Sequence, residues 1–147
     1  LKRIILILFV ITALFPLSSF AEEGATQKAK LIIKFSGMNS SEGNLKVAIC
    51  NSEQNYKDHR SPFIGKNIPI QNNVAVIEID DLPNGEYAVK AFHDEDSNDD
   101  LNTNFLGIPI EDYGFSNNAR GVFGPPSWDD AKFNLNNATR VIEIIIK

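Results

Sequence analysis

The chain has 147 residues, 43% of them apolar and 22% charged, enough for one domain with a buried core. Fourteen basic residues against nineteen acidic ones leave a net charge of −5 and no basic stripe, which excludes nucleic acid and anionic membrane surfaces as natural partners. Cys50 is the one cysteine, so no intrachain disulfide forms, and a small buried apolar role suits it better than a reactive one.

Lys2 and Arg3 precede an apolar run from Ile4 to Leu14, broken at Pro16 and followed by Ser19-Phe20-Ala21. Basic start, apolar core and small residues at a cleavage point predict a signal peptide over residues 1–21, cut after Ala21. The core is short for a membrane anchor, and no later stretch is long and apolar enough to span a bilayer. The expected localisation is therefore periplasmic or secreted, with no membrane insertion after signal cleavage. Without Lys2 and Arg3, 12 basic residues face 19 acidic ones, a net charge of −7. Residues 22–29 read as a flexible leader and residues 30–147 as the folded domain.

From Lys30 the apolar residues fall into period two. Leu31, Ile33 and Phe35 share one face of a first strand, and Leu45, Val47 and Ile49 one face of a second. The Ser-, Gly- and Asn-rich stretch 39–44 between them predicts a hairpin. Residues 51–66 read as an irregular connection, with at most a helical turn, that drops Tyr56 or Phe63 onto the core. Ala75, Ile77 and Ile79 mark another strand. Leu82-Pro83-Asn84-Gly85 predicts a tight reversal with glycine at positive φ, and Tyr87, Val89 and Ala91 follow on one face. The Leu-Pro-x-Gly-x-Tyr pattern is one met in secreted sandwiches of the transthyretin-like kind, where the tyrosine anchors the corner. Residues 105–128 form a long loop rich in Gly, Pro, Asn and aromatics, and such loops are either functional or disordered. Its aromatics argue for order. A short alternation around Phe133 and Leu135 precedes a last strand with Ile142, Ile144 and Ile146 on one face. About seven short strands without an amphipathic helix predict an all-β fold, a single antiparallel β-sandwich of transthyretin-like or Ig-like type, with a closed barrel second.

The densest chemistry lies in His93-Asp94-Glu95-Asp96-Ser97-Asn98-Asp99-Asp100-Leu101-Asn102. Oxygen-bearing side chains at Asp94, Asp96, Asn98 and Asn102, with Asp100 between, suit a loop closing on calcium, which takes six to eight oxygens. A helix–loop–helix site needs glutamate at the twelfth position, where Phe105 stands, so the missing carboxylate would come from Glu111 or Asp112. The same residue types also serve Asx turns in a plain surface loop, and both readings stand. Tyr113, Phe115 and Trp128 offer rings that could stack on a carbohydrate or grip an envelope protein, or could pad the loop against the sandwich.

Catalysis has little to build on. His59 and His93 are the only histidines, and no serine or cysteine stands in a recognisable nucleophile turn. No two-histidine spacing suggests zinc. Asp94 with Glu111 could form a hydrolase pair, although a domain of this size rarely carries the necessary cleft. The expectation is a non-enzymatic accessory or binding module.

Leu-Pro-Asn-Gly-Glu-Tyr-Ala-Val (82–89), the acidic block (93–102), Phe-Leu-Gly-Ile-Pro-Ile-Glu-Asp-Tyr-Gly-Phe-Ser-Asn-Asn (105–118) and Gly-Pro-Pro-Ser-Trp (124–128) resemble a family of exported bacterial proteins, domain of unknown function 2141. The resemblance runs from about Lys30 to the end. It implies a small secreted or periplasmic β-sandwich with no established activity. It also implies a usual acidic block of the form His-Asp-Glu-Asn-x-Asn-Gly-x-Leu-Asp. Asp99 thus stands where glycine is usual and Asn102 where aspartate is usual. Both changes predict weaker calcium binding in this chain, through a strained bend and a lost charge.

Overall fold

The computed structural model describes residues 27–58, 60–136 and 138–147. The expected signal peptide lies outside the described residues, as do most of the leader and His59.

Two sheets carry the fold. A three-stranded sheet has the order β4-β1-β8, where β1 is Lys28–Ser36, β4 Ala75–Pro83 and β8 Thr139–Ile145. The second sheet has the order β3-β2-β5-β6, from β2 (Asn44–Cys50), β3 (Ile64–Pro69), β5 (Gly85–Asp94) and β6 (Tyr113–Phe115), and β7 (Phe133–Leu135) also pairs with β5. Among the described residues, two short helices, α1 (Glu53–Lys57) and α2 (Trp128–Ala131), and a 3-10 turn over Ser116–Asn118 complete the secondary structure. This is the all-β, two-sheet sandwich expected.

The buried faces are also those read from the alternation. Leu31, Ile33 and Phe35 from β1 meet Leu45, Val47 and Ile49 from β2, Tyr87 and Val89 from β5, and Ile144 and Ile146 at the chain's end. Tyr87 anchors its corner as expected, its hydroxyl donating to the Pro83 carbonyl at 2.7 Å.

The pairing of strands differs from expectation in three places. β1 and β2 are not a hairpin: they lie in opposite sheets and face each other across the core. Period-two alternation reports which face is buried and is silent on which strand lies alongside. The Leu82–Gly85 reversal likewise carries the chain from one sheet to the other, and the positive φ falls at Asp81 (60°), not at Gly85. The sandwich is not purely antiparallel either, because β8 runs parallel to β1, with Lys30 opposite Thr139 through Ser36 opposite Ile145. A parallel pair needs a long crossover, and the whole of the intervening domain supplies it.

Several elements begin or exist where the sequence reads otherwise, among them β6 within the stretch 105–128 read as a loop and α2 at its end. β1 starts at Lys28, inside the expected leader. β3 occupies part of the connection read as irregular, since Gly65 and Pro69 interrupt its pattern; as an edge strand it tolerates that proline. The expected helical turn is α1. Ser52 caps it, and Tyr56 is its buried residue. Gly114 lets β6 pass against the other sheet, because a Cβ there would stand 2.5 Å from the Ile145 carbonyl oxygen.

Candidate functional site: a carboxylate cluster at the end of β5

β5 delivers His93 and Asp94 to one end of the sandwich, both buried, and the chain then turns through Ser97 and Asp99 at positive φ (57° and 72°). The Asp99 bend is the place where the family resemblance implies glycine, and the left-handed backbone explains why. Across the sheet, Asn44 pairs with Asp94, and the preceding Gly43 approaches so closely that a Cβ there would lie 2.0 Å from the Asp94 carbonyl oxygen.

Asp94 is 0% exposed. Its Oδ1 accepts the Asn98 N–H at 3.0 Å, its Oδ2 accepts the Asp99 N–H at 3.1 Å, and the Lys46 ammonium stands 3.6 Å away. Asp96 Oδ1 accepts the Asn98 N–H at 3.2 Å, while Oδ2 accepts amide protons from Asn98 at 3.0 Å and Asn102 at 2.8 Å. Asn98 Oδ1 in turn accepts the Asp100 N–H at 2.8 Å. Glu111, also buried, comes in from beyond the loop. Its Oε1 accepts the Glu95 N–H at 3.1 Å and its Oε2 the Asn102 N–H at 2.9 Å.

These bonds draw three carboxylates together. Asp94, Asp96 and Glu111 each present an oxygen within 4.8 Å of the others. A carboxylate offers about four lone-pair sites, so the N–H bonds to Asp94 and Glu111 leave acceptor capacity on both. Asn98 and Asn102 are at the cluster through their hydrogen bonds to Asp96. Of the expected distal ligands Glu111 arrives, whereas Asp112 is turned away, its Oδ2 accepting from the Asn39 amide at 2.9 Å. Asp100 is exposed and its carboxylate is not one of the three. Lys46 bonds Asp99, and this bond foremost holds its ammonium above the ordinary lysine range.

His93 is held by the segment ahead of β2. Its Nε2 lies 2.7 Å from the Glu42 carbonyl oxygen, which can only accept, so Nε2 carries a proton. Nδ1 is buried without a hydrogen bond, 3.5 Å from Glu95 Oε1.

The aromatic segment divides. Trp128 and Phe115, each 8% exposed, form a second small core with Cys50, Tyr56, Ala88 and Ala131 on the outer side of the five-stranded sheet. Trp128 meets Tyr56 edge-on at 5.7 Å between centroids, and the Tyr56 hydroxyl donates to the Pro126 carbonyl at 3.1 Å. Burial pushes the Tyr56 phenol up to about 12. Tyr113 is half-buried, with Arg120 over its ring at 5.9 Å. Trp128 and Phe115 are thus packed under the loop, and Tyr113 is the more exposed of the three rings.

Residues 33–143 match the family described as "Uncharacterized protein conserved in bacteria (DUF2141)". The chain belongs to this family. No curated protein and no solved structure matches it.

Sequence reasoning reached Asp94, Asp96, Asn98, Asn102 and Glu111 through residue type and spacing alone. It missed Gly43 and Lys46, which join the cluster through β2's register against β5. Ser116 is a further omission. Its buried hydroxyl accepts the Val89 N–H at 2.9 Å and donates to the Ala131 carbonyl at 2.6 Å, tying β5 to α2.

Proposed function

We propose that this chain is a non-enzymatic binding or accessory module of the bacterial cell envelope, exported and held together at the end of β5 by calcium. The observation that carries the calcium reading is the convergence of Asp94, Asp96 and Glu111 from two separate stretches of chain. Three negative charges in so small a volume repel one another, and a divalent cation relieves that repulsion while taking the hard oxygen donors it prefers. Asp94, Asp96 and Glu111 would hold the ion, with Asn98 and Asn102 turning their amide oxygens inward. The module's partner is an envelope protein or carbohydrate.

The runner-up, a hydrolase using Asp94 and Glu111, has less support. Both carboxylates are buried and accept N–H bonds from the loop itself, which suits holding an ion better than meeting a substrate. Melting the protein in calcium and again in chelator tests the reading. At tenfold its dissociation constant, calcium stabilises by about 1.4 kcal/mol through mass action. Coincident curves at millimolar calcium overturn it.

A further inference from the structure

The outer face of the five-stranded sheet is covered over only part of its area. Its outward row Cys50–Ala88 lies under Tyr56, Trp128 and Ala131. The next two rows, Ala48–Lys90–Phe115 and Lys46–Phe92–Tyr113, run straight across three strands and floor an open groove of about 1060 Å³. That is the upper end of the range for small-molecule sites.

The walls are two loops with bare apolar tips. On one side stand Leu101 and Ile108, and on the other Val122 and Phe123, which are 88% and 100% exposed. The first wall is a built hairpin: the Asn104 N–H donates to the Ile108 carbonyl at 2.9 Å, the Ile110 N–H to the Asn102 carbonyl at 2.9 Å, and Asn104 Oδ1 caps the tip by accepting the Leu106 and Ile108 N–H groups. Such a concentration of apolar side chains at the rim of a concave surface marks a binding site more than scattered surface residues would.

The charge balance names the ligand's head. In a chain of net charge −5 the groove is lined by three lysines (46, 66 and 90) against two aspartates (99 and 100); Asp99 and Asp94 both stand at Lys46, and at Lys90 the cost of burial outweighs the attraction of Asp58. Lys90 sits where the covered and open parts of the face meet. Its ammonium donates to the Tyr56 carbonyl at 2.5 Å and lies 5.3 Å from the Tyr56 ring centroid. Leu101, Ile108 and Val122 at the lips suit an alkyl chain, and a half-buried ammonium favours a carboxylate or phosphate in reduced dielectric.

We propose that this groove binds a single-chain anionic amphiphile, a fatty acid or an acidic lipid with one acyl chain, with its tail between the lips and its head at Lys90. The proposal does not rest on the calcium reading, and its test is run in chelator so that the two fail separately. The purified chain is titrated with dansyl-labelled undecanoic acid, and the probe is then displaced by dodecanoate, dodecanol and dodecyl maltoside. Saturable binding of one probe per chain is expected, with dodecanoate displacing it at least tenfold better than dodecanol. Phe123→Asp and Val122→Asp, at positions too exposed to affect folding, are expected to weaken binding at least tenfold. Lys90→Met is expected to abolish the preference for the acid over the alcohol. Absence of saturable binding in the parent chain overturns the proposal, as does equal binding by the Phe123→Asp chain. Sedimentation with phosphatidylglycerol vesicles without capture of the monomeric probe also overturns it, since the tips would then insert into a bilayer.

Discussion

Replacing Glu111 by Gln removes one of three clustered charges and keeps the side chain's shape. At 4.8 Å and an effective dielectric of about 20, two unit charges repel by about 3.5 kcal/mol, and Glu111 faces both Asp94 and Asp96. The two pairs sum to about 7 kcal/mol, which the Lys46 ammonium beside Asp94 and water at exposed Asp96 reduce to roughly the size of the losses that oppose it. Against this, two charge-assisted bonds to the Glu95 and Asn102 N–H groups become neutral, a loss of about 1 kcal/mol each. One N–H also meets an amide NH₂ instead of an oxygen, costing about 1–3 kcal/mol. In chelator Glu111→Gln is accordingly expected to melt no lower than the parent chain. In calcium at tenfold the parent's dissociation constant, the parent rises by about 1.4 kcal/mol, or roughly 5 °C, and the variant does not. Scanning calorimetry of both chains with calcium and with chelator reads the four values. Asp112→Asn, whose side chain bonds Asn39 outside the cluster, serves as the control that keeps the calcium gain. A Glu111→Gln chain that gains as much from calcium as the parent refutes the site. One that falls by several kcal/mol in chelator refutes the repulsion argument.

Ser116→Ala leaves the buried Val89 N–H and Ala131 carbonyl without their hydroxyl partner, and urea unfolding is expected to report a loss of about 2–4 kcal/mol at unchanged m-value. A loss below 0.5 kcal/mol, on the order of measurement error, would mean that another group satisfies both. Because burial raises the Tyr56 phenol from 10 to about 12, its contribution is fully present below pH 10 and is lost as the pH rises towards 12. Denaturation midpoints across that window should fall less steeply for Tyr56→Phe than for the parent. Asp99→Gly relieves a left-handed aspartate and forfeits a partly exposed bond to Lys46, so a net gain of about 0.5–1 kcal/mol is expected by urea unfolding in chelator. A net loss would show that the Lys46 bond outweighs the strain.

The legible and illegible parts of this fold separate along a physical line. Which residues are buried is a local matter, written in the alternation of Leu31, Ile33 and Phe35 or of Leu45, Val47 and Ile49, and the core follows it. Which strands pair is a non-local matter, so β1 and β2 read as neighbours although they face each other. The acidic block was legible because oxygen-bearing residues at short spacing are unusual in any strand or core. Glu111 was reachable as the carboxylate a β-borne loop would lack, but nothing in the sequence separates it from Asp112, since adjacent residues point in opposite directions only once the backbone is known. The groove was hidden for the opposite reason. Lys46, Ala48, Lys90 and Phe92 look like the ordinary outward half of two strands, and only the walls at 101–108 and 122–123 turn that face into a concavity.

The parallel alignment of residues 30–36 with 139–145 carries a consequence for how this molecule is made. Until Thr139 to Ile145 is in place, β1 offers a bare edge of hydrogen-bonding groups flanked by Leu31, Ile33 and Phe35, which invites a second copy to dock there. A chain clipped ahead of Thr139 should consequently self-associate, and a free peptide with the sequence of residues 139–147 should seat in the vacated position and reverse that association.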